Sequence, residues 1–134
     1  MNKAVFVDTG AWFALVVPSD PNHIRAVDWL TANPAPLVTT DYVVDETLTL
    51  LRARDERNRA IEIGKEFFDG KLAEVYRLTD DDLRLAWEVF RDFDDKDWSF
   101  TDCSSKVIIE RLGINTALAF DRHFRQFGNV IVAP

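Results

Sequence analysis

The sequence predicts an α/β fold with a mainly parallel central sheet, because short apolar segments alternate with segments of helical periodicity along the chain. Hydrophobic residues make up 47% of the 134 positions, which is enough for a packed core and argues against disorder. No repeat, linker or low-complexity segment interrupts this alternation. We therefore expect residues 1–134 to form one domain, since domains commonly contain about 100–150 residues.

The first predicted strand, residues 3–7, is short, apolar and rich in β-branched side chains. A helix over residues 11–17 follows and ends at Pro18. A second helix begins at Asp20-Pro21-Asn22, where proline suits a first turn. Its predicted apolar face consists of Ile24, Ala26, Val27, Trp29 and Leu30.

The second predicted strand, residues 37–40, leads into a helix over residues 41–53. The apolar arc of this helix consists of Val43, Val44, Thr47, Leu48, Leu50 and Leu51. Glu46 borders the arc on one side, whereas Asp41 and Asp45 border it on the other. Periodicity alone does not choose between these two flanks.

A further helix over residues 58–69 ends at Gly70, and residues 72–78 form the third predicted strand. Thr79 and Asp80 then cap a helix with an apolar stripe at helical spacing. The stripe consists of Leu83, Ala86, Trp87, Phe90 and Phe93. This spacing favours a core role for the aromatic side chains over a platform for stacked bases.

The next predicted helix carries an acidic residue at its start. Thr101 is its predicted N-cap, Asp102 lies in its first turn, and Gly113 ends it. Asp102 shares one side of this helix with Ser105 and Ile109, so it lies at the end of a partly apolar face.

After a link at residues 114–115, residues 116–120 form a predicted buried strand that ends in Asp121. A short helix over residues 123–127 and a last strand over residues 130–133 follow. Asp102 and Asp121 therefore stand at the ends of adjacent elements.

Composition limits the location and the partners of the protein. Cys103 is the only cysteine, so an intrachain disulfide is impossible and a reducing cytoplasm is expected. We expect no signal peptide and no membrane span, because no apolar run approaches the roughly 20 residues that a span needs. The net charge of −7 excludes binding of nucleic acid mainly by phosphate neutralisation. Four arginines do cluster between residues 52 and 59, but Asp55 and Glu56 interrupt them, which favours a solvated surface.

Four acidic residues are predicted to meet at one edge of the sheet. Asp8, Asp102 and Asp121 lie at strand C-termini or helix N-termini, which share one edge in a parallel sheet. Glu46, one turn into its helix, reaches the same edge. Any one of these aspartates is also explained as a cap or a charge that suits a helix dipole, so a functional site requires that they converge.

Clustered carboxylates repel one another and take up protons unless a cation neutralises them. Mg²⁺ or Mn²⁺ fits such an oxygen-rich site, whereas the scarcity of His and Cys disfavours zinc. Divalent ions held by carboxylates are an established means of cutting phosphodiester bonds. Asp8, Glu46, Asp102 and Asp121 are therefore our candidates for both metal binding and catalysis.

Four segments in order carry a family resemblance: FVDTGAW, TTDYVVDETLTLL, DWSFTDCSS and LAFDRHF. Together they resemble the PIN domain family, and within it the VapC-type toxin ribonucleases of prokaryotic toxin–antitoxin pairs, over essentially the whole chain. The resemblance implies that Asp8, Glu46, Asp102 and Asp121 occupy the acidic positions of the family. It further implies a three-layer α/β/α fold with four to five strands. The implied activity is that of an endoribonuclease dependent on Mg²⁺, with Mn²⁺ able to substitute. The implied partners are an RNA substrate, a cognate antitoxin and a second copy of the chain.

The chain departs from the family pattern at two positions. An acidic residue often stands where this chain has His123, so a fifth acidic position is in question. A small residue is usual at Cys103, and a catalytic thiol is not expected there because acidic surroundings raise its pKa. Asp97 and Thr101 are lesser candidates, which a loop charge and a helix cap explain without chemistry.

The motifs also allow other interpretations than a PIN-type ribonuclease. Asp8-Thr9-Gly10 also occurs in aspartic proteases, but that fold is all-β. Phosphatases of the haloacid dehalogenase type require a second Asp where this chain has Gly10. The remaining alternative is a catalytically idle PIN fold that binds RNA or protein, although buried like charges destabilise a fold that has no use for them.

Apolar residues near the N-terminus bear on the expected partners. Trp12, Phe13 and Trp29 exceed what short helices usually need for a core, which gives modest support to a homodimer. The helices around Trp12-Phe13 and residues 43–51 flank the predicted site, so they are expected to form a groove for an amphipathic helix of the antitoxin. The same aromatics are equally explained as core.

Overall fold

The computed structural model describes residues 2–134 and contains a five-stranded, fully parallel sheet over that range. The strands are β1 (Asn2–Val7), β2 (Leu37–Thr40), β3 (Glu74–Tyr76), β4 (Ile114–Leu118) and β5 (Ile131–Ala133). The helices are α1 (Thr9–Val16), α2 (His23–Ala32), α3 (Asp41–Ala53), α4 (Arg57–Asp69), α5 (Asp80–Asp92) and α6 (Phe100–Leu112). A 3₁₀ helix, Arg122–Gln126, lies between β4 and β5.

The strand order β3-β2-β1-β4-β5 places β1 at the centre of the sheet. Val5 of β1 pairs with Leu37 of β2, and Val7 pairs with Leu118 of β4. The chain builds outward from β1 to β3 on one side and then crosses to β4 on the other, so the strand order reverses between β1 and β4. Because crossovers between parallel strands are right-handed, the helices before β3 and those after it cover opposite faces. The predicted three-layer α/β fold with four to five parallel strands is confirmed.

The core surrounds the central strand on both faces. Phe6 is fully buried, and its ring lies 6.1 Å from that of Phe124 of the 3₁₀ helix. Trp12 meets Phe67 edge to face at 5.0 Å between ring centres, and its indole N–H donates to Thr39 Oγ1 at 3.3 Å. These contacts anchor α1 directly beneath the end of β1.

The predicted groove and dimer residues are largely core residues. Trp12, Val43 and Leu51 are almost fully buried, so the expectation that they line an exposed groove is wrong. Their side chains pack beneath the layer that α1 and α3 form over β1 and β2. Phe13 and Trp29 are partly buried against the same core.

Two predicted apolar faces are only partly buried. On α2, Ala26 is buried but Ile24 is 70% exposed. On α5, Ala86 is buried, whereas Trp87 is 52% and Phe90 43% exposed. The core assignment of the α5 aromatics is therefore wrong, because α5 packs chiefly against α6 and buries a narrower stripe than its periodicity indicates.

Some predicted boundaries of strands differ from those in the structure. The third strand spans only residues 74–76, and β4 begins directly after Gly113, where a link at residues 114–115 was expected. Gly113 has a φ of 65°, and this left-handed conformation turns the chain from α6 straight into β4. No helix over residues 2–134 is long and apolar enough to cross a membrane.

Candidate active site

The start of α6 holds the first acidic side chain in place. Ser99 is the N-cap: its Oγ accepts from the Asp102 N–H at 3.0 Å, and the Ser99 N–H donates to Asp102 Oδ2 at 3.1 Å. This is a capping box, in which a hydroxyl residue and an acidic residue three positions later satisfy each other's backbone N–H. The prediction of Thr101 as the N-cap is therefore wrong, and Thr101 lies inside the first turn.

A cavity of about 420 Å³ opens at the C-terminal edge of the sheet. Its lining consists of Asp8, Thr9, Gly10, Glu46, Leu50, Ser99, Asp102, Asp121 and His123. All four acidic residues singled out from the sequence thus border one space. This space lies where the strand order reverses, since Asp8 follows β1 and the Asp8 N–H donates to Leu118 O at the end of β4 at 3.2 Å.

Asp8 is the most deeply buried of the four carboxylates. It is only 5% exposed, and its Oδ1 has no hydrogen-bond partner among the described residues. Burial raises the pKa of Asp8 from 3.8 to about 8, and the nearby charges of Asp102, Glu46 and Asp121 act in the same direction, against a backbone hydrogen bond from Thr9. Without a cation, this carboxyl group therefore favours its protonated form.

Asp102 and Asp121 are joined by a histidine ring. His123 Nδ1 lies 2.9 Å from Asp102 Oδ2 and 3.3 Å from Asp121 Oδ1. The backbone N–H of His123 also donates to Asp121 Oδ1 at 2.9 Å. Asp121 is the N-cap of the 3₁₀ helix, so the same turn that caps this helix brings the imidazole back over the two carboxylates.

On α3 the cavity receives Glu46 rather than the acidic residues of the opposite flank. Asp41 Oδ1 instead accepts from Leu78 N–H at 3.2 Å and ties α3 to the end of β3. Asp45 is exposed and shares with Asp41 a separate hollow of about 330 Å³. The structure thus selects the Glu46 flank, which periodicity left open.

The donor set fits a divalent cation. Asp102, Asp121 and His123 each offer one ligand atom, and the three atoms lie within 4.8 Å of one another. Asp8, whose buried Oδ1 has no hydrogen-bond partner among the described residues, adds a further carboxylate to the same cavity. Carboxylate oxygens suit Mg²⁺ and Mn²⁺, and a bound cation favours the charged form of Asp8, whose pKa is raised by burial and by the neighbouring carboxylates.

The lesser candidates lie outside this cavity. The Asp97 side chain is 86% exposed and forms a 3.7 Å ion pair with Arg122, as expected of a loop charge. Cys103 is fully buried, and burial followed by the charge of Asp102 raises its thiol pKa to about 11, so it is not a nucleophile.

Ser99 and His123 line the cavity but are not among the site residues that the sequence predicts. Ser99 carries a readable signal, since a serine three positions before an acidic residue marks a capping box. The sequence does not reveal the role of His123, because its position two residues after Asp121 gives no indication that its ring contacts Asp102.

Comparisons with known proteins all point to the same family. The PIN domain profile matches residues 5–130. The chain is 32% identical over 130 residues to the 23S rRNA-specific endonuclease VapC20 of Mycobacterium tuberculosis, covering 97% of this chain and 98% of the relative. It is 28% identical over 126 residues to the VapC ribonuclease of Archaeoglobus fulgidus, covering 90% and 79% of the two chains.

Solved structures share the fold. The crystal structure of Mycobacterium tuberculosis VapC20, described as a Sarcin-Ricin loop cleaving toxin, matches with a TM-score of 0.89 at 32% identity and covers 97% of this chain and 99% of that one. FitAcB of Neisseria gonorrhoeae matches with a TM-score of 0.71 at 13% identity, covering 97% and 96%. The second likeness concerns the fold alone.

Proposed function

Because this chain belongs to the PIN domain family, on the branch of the VapC toxins, we propose that it is a metal-dependent endoribonuclease and the toxin of a toxin–antitoxin pair. The observation that carries the proposal is the convergence of Asp8, Glu46, Asp102 and Asp121 on one cavity. The alternative of an idle binding module is not favoured, because this acidic set is intact and surrounds one cavity.

Each carboxylate has a role in this proposal. Asp8, Asp102 and Asp121 hold Mg²⁺, for which Mn²⁺ substitutes, and Glu46 binds the ion or orients water beside it. A bound divalent ion supplies Lewis acidity at the phosphate and lowers the pKa of its water. The chain itself supplies rigidity, since the Ser99 capping box fixes Asp102 and the His123 N–H fixes Asp121.

RNA is the proposed substrate class, as the names of the relatives suggest. The acidic net charge means that binding depends on the metal and on local cations. One such cation is Arg25 of α2, whose guanidinium lies 5.5 Å from the ring centre of Phe120, the residue before Asp121. We infer that Arg25 contacts a phosphate of the RNA beside the cavity.

A small antitoxin is the proposed partner, and the outer face of α3 and α4 is its proposed binding site. A hollow of about 380 Å³ there is lined by Leu48, Ile61, Arg52 and Arg57, among others. Leu48 also borders the neighbouring hollow with Phe67 and Phe68. Such a continuous apolar track with basic residues beside it suits an amphipathic helix that carries acidic residues.

We also propose a homodimer, with its contact on the exposed face of α5. Ring contacts of 6.0–6.3 Å run from Trp87 through Phe90 and Phe100 to Tyr42 of α3. Exposed aromatic patches of this kind usually mark an interaction surface. Phe100 adjoins Ser99, so pairing there would bring two cavities toward a common side.

A nuclease assay with matched variants tests the catalytic proposal. Glu46→Gln removes one cavity charge, whereas Asp45→Asn removes the exposed charge beside it on α3. We expect Glu46→Gln to lose at least about a hundredfold in Mn²⁺-dependent RNA cleavage, a typical loss for a positioned catalytic group, and Asp45→Asn to remain active. Equal activity of the two variants, in preparations free of contaminating RNase, contradicts the proposal.

A further inference from the structure

His123 stands at the point where two carboxylates from separate elements come closest. Its Nδ1 is 2.9 Å from Asp102 Oδ2 on α6 and 3.3 Å from Asp121 Oδ1 after β4. The His123 side chain is 17% exposed and lines the acidic cavity. Its ring nitrogen therefore faces into the site and not toward bulk solvent.

The backbone holds this ring in place. The His123 N–H donates to Asp121 Oδ1, so the residue is tied to one of the two carboxylates that its ring contacts. Asp102 is fixed in turn by the Ser99 capping box. The three ligand atoms are thus positioned before any ion arrives, which lowers the cost of ordering them on binding.

Two carboxylate oxygens and a ring nitrogen this close together need a hydrogen or a cation between them. In the absence of metal, a hydrogen on Nδ1 donates to the carboxylates. A divalent ion serves equally well, because ligands about 2.1 Å from an octahedral ion lie about 3 Å apart along each edge. The observed separations of 2.9 and 3.3 Å match that spacing.

We propose that His123 Nδ1 is a direct ligand of the metal and makes the site select a first-row transition ion, with Mn²⁺ as its probe, over Mg²⁺. This inference rests on the proposed function, since it concerns the ion that Asp8, Asp102 and Asp121 hold. Mg²⁺ prefers oxygen and binds nitrogen poorly, whereas imidazole is a regular ligand of transition ions. A carboxylate at position 123 would not favour a transition ion over Mg²⁺ in this way.

Metal binding without RNA tests the assignment. Mn²⁺ is titrated into the full chain, bound ion is measured by electron paramagnetic resonance, and pulsed spectra report coupling to an imidazole nitrogen. His23 is the other histidine of the chain, and its Nδ1 contacts Ala14 O on α1 at 2.7 Å. His23→Asn is therefore the matched control for His123→Asn.

We expect nitrogen coupling in the wild type and in His23→Asn, and its loss in His123→Asn. In His123→Asp the preference for Mn²⁺ over Mg²⁺, taken as the ratio of the two Kd values, should fall about tenfold or more. Thermal melts without metal confirm that each variant is folded.

Bound Mn²⁺ without imidazole coupling in the wild type overturns the inference and makes His123 a residue that only positions Asp102. Coupling that survives in His123→Asn has the same consequence. Both results leave the proposed nuclease standing. Failure of Mn²⁺ and Mg²⁺ to bind the wild type at all overturns the metal site of the proposed function as well.

Discussion

Asp8 differs from an ordinary surface aspartate in two respects. It is buried at the end of β1, and three other carboxylates border the same cavity. Both conditions disfavour its charged form, so the native state binds a proton at Asp8 far more tightly than the unfolded chain does. The charge state of the site is therefore linked to the stability of the fold.

This linkage predicts a pH dependence with a definite sign. The pKa of Asp8 is raised from 3.8 to about 8, so the metal-free protein loses stability as pH rises from about 4 to about 8. The loss is on the order of a few kcal/mol. Chemical denaturation of metal-free wild type should show this decline, and Asp8→Asn should show a flatter profile.

Mn²⁺ should reverse the decline, because it binds only the native state and replaces the proton. Its stabilising effect is therefore expected to be larger at pH 8 than at pH 5. Asp45→Asn, which removes an exposed carboxylate, should behave as the wild type. A pH slope that is the same in Asp8→Asn and wild type would show that other groups cause it.

Single residues differ in how well the sequence reveals them. The positions of Asp8, Asp102 and Asp121 follow from a general rule, since parallel strands deliver their C-terminal ends to one edge. Their catalytic roles stay a prediction. The contact between His123 and Asp102 depends on how the 3₁₀ turn packs against α6, and no local pattern encodes that geometry. Thr101 was mistaken for a cap because Thr is a good cap in general, although the reciprocal acidic partner belongs to Ser99.

Two helices begin with a capping box, but only one of the two boxes contributes a residue to the site. α5 starts with a capping box between Thr79 and Asp82, and α6 starts with one between Ser99 and Asp102. The Asp82 carboxylate binds Arg111 at 2.8 Å, away from the cavity. Asp102 instead lines the cavity, so only the α6 cap links helix stability to the site.

The two capping boxes make it possible to separate an effect on fold stability from an effect on Mn²⁺ binding. Ser99→Ala and Thr79→Ala should each destabilise the fold by about 1 kcal/mol, because each leaves a first-turn N–H without its acceptor. Only Ser99→Ala should weaken Mn²⁺ binding, since the lost Ser99 Oγ loosens the first turn of α6, which carries Asp102. Denaturation curves and Mn²⁺ titrations of both variants measure the two effects. Equal weakening of Mn²⁺ binding in both would mean that stability alone governs the site.

Elements with their own start and stop signals were predicted best. The bounds of α3 agree with prediction, and both glycines that end α4 and α6 adopt left-handed conformations. β3 and β4 were placed less well, because their limits depend on pairing with β2 and β1. The α5 aromatics were misassigned for a related reason: helical periodicity identifies an apolar face but not how much of it a neighbour covers.

At the scale of the whole molecule, the acidic charge opposes self-association, whereas the exposed aromatic surface favours it. A net charge of −7 keeps copies apart, whereas burial of the α5 aromatics favours association. Trp87→Glu should therefore yield a monomer at micromolar concentration, while wild type forms a dimer in light scattering. Phe68→Glu is the matched control, since Phe68 is 81% exposed on α4, away from α5. A monomeric wild type contradicts the dimer.

The crossover from β3 back to β4 also sets the order of events during synthesis. Asp8 is synthesised before its partner strand β4 and Asp121, which follow only after the six helices α1 to α6 have been made. Until α6 begins, the nascent chain holds Asp8 and Glu46 without Asp102, and Asp121 is added only after β4. The cleavage machinery is thus assembled late, and translation itself delays the moment at which a ribosome releases an active toxin.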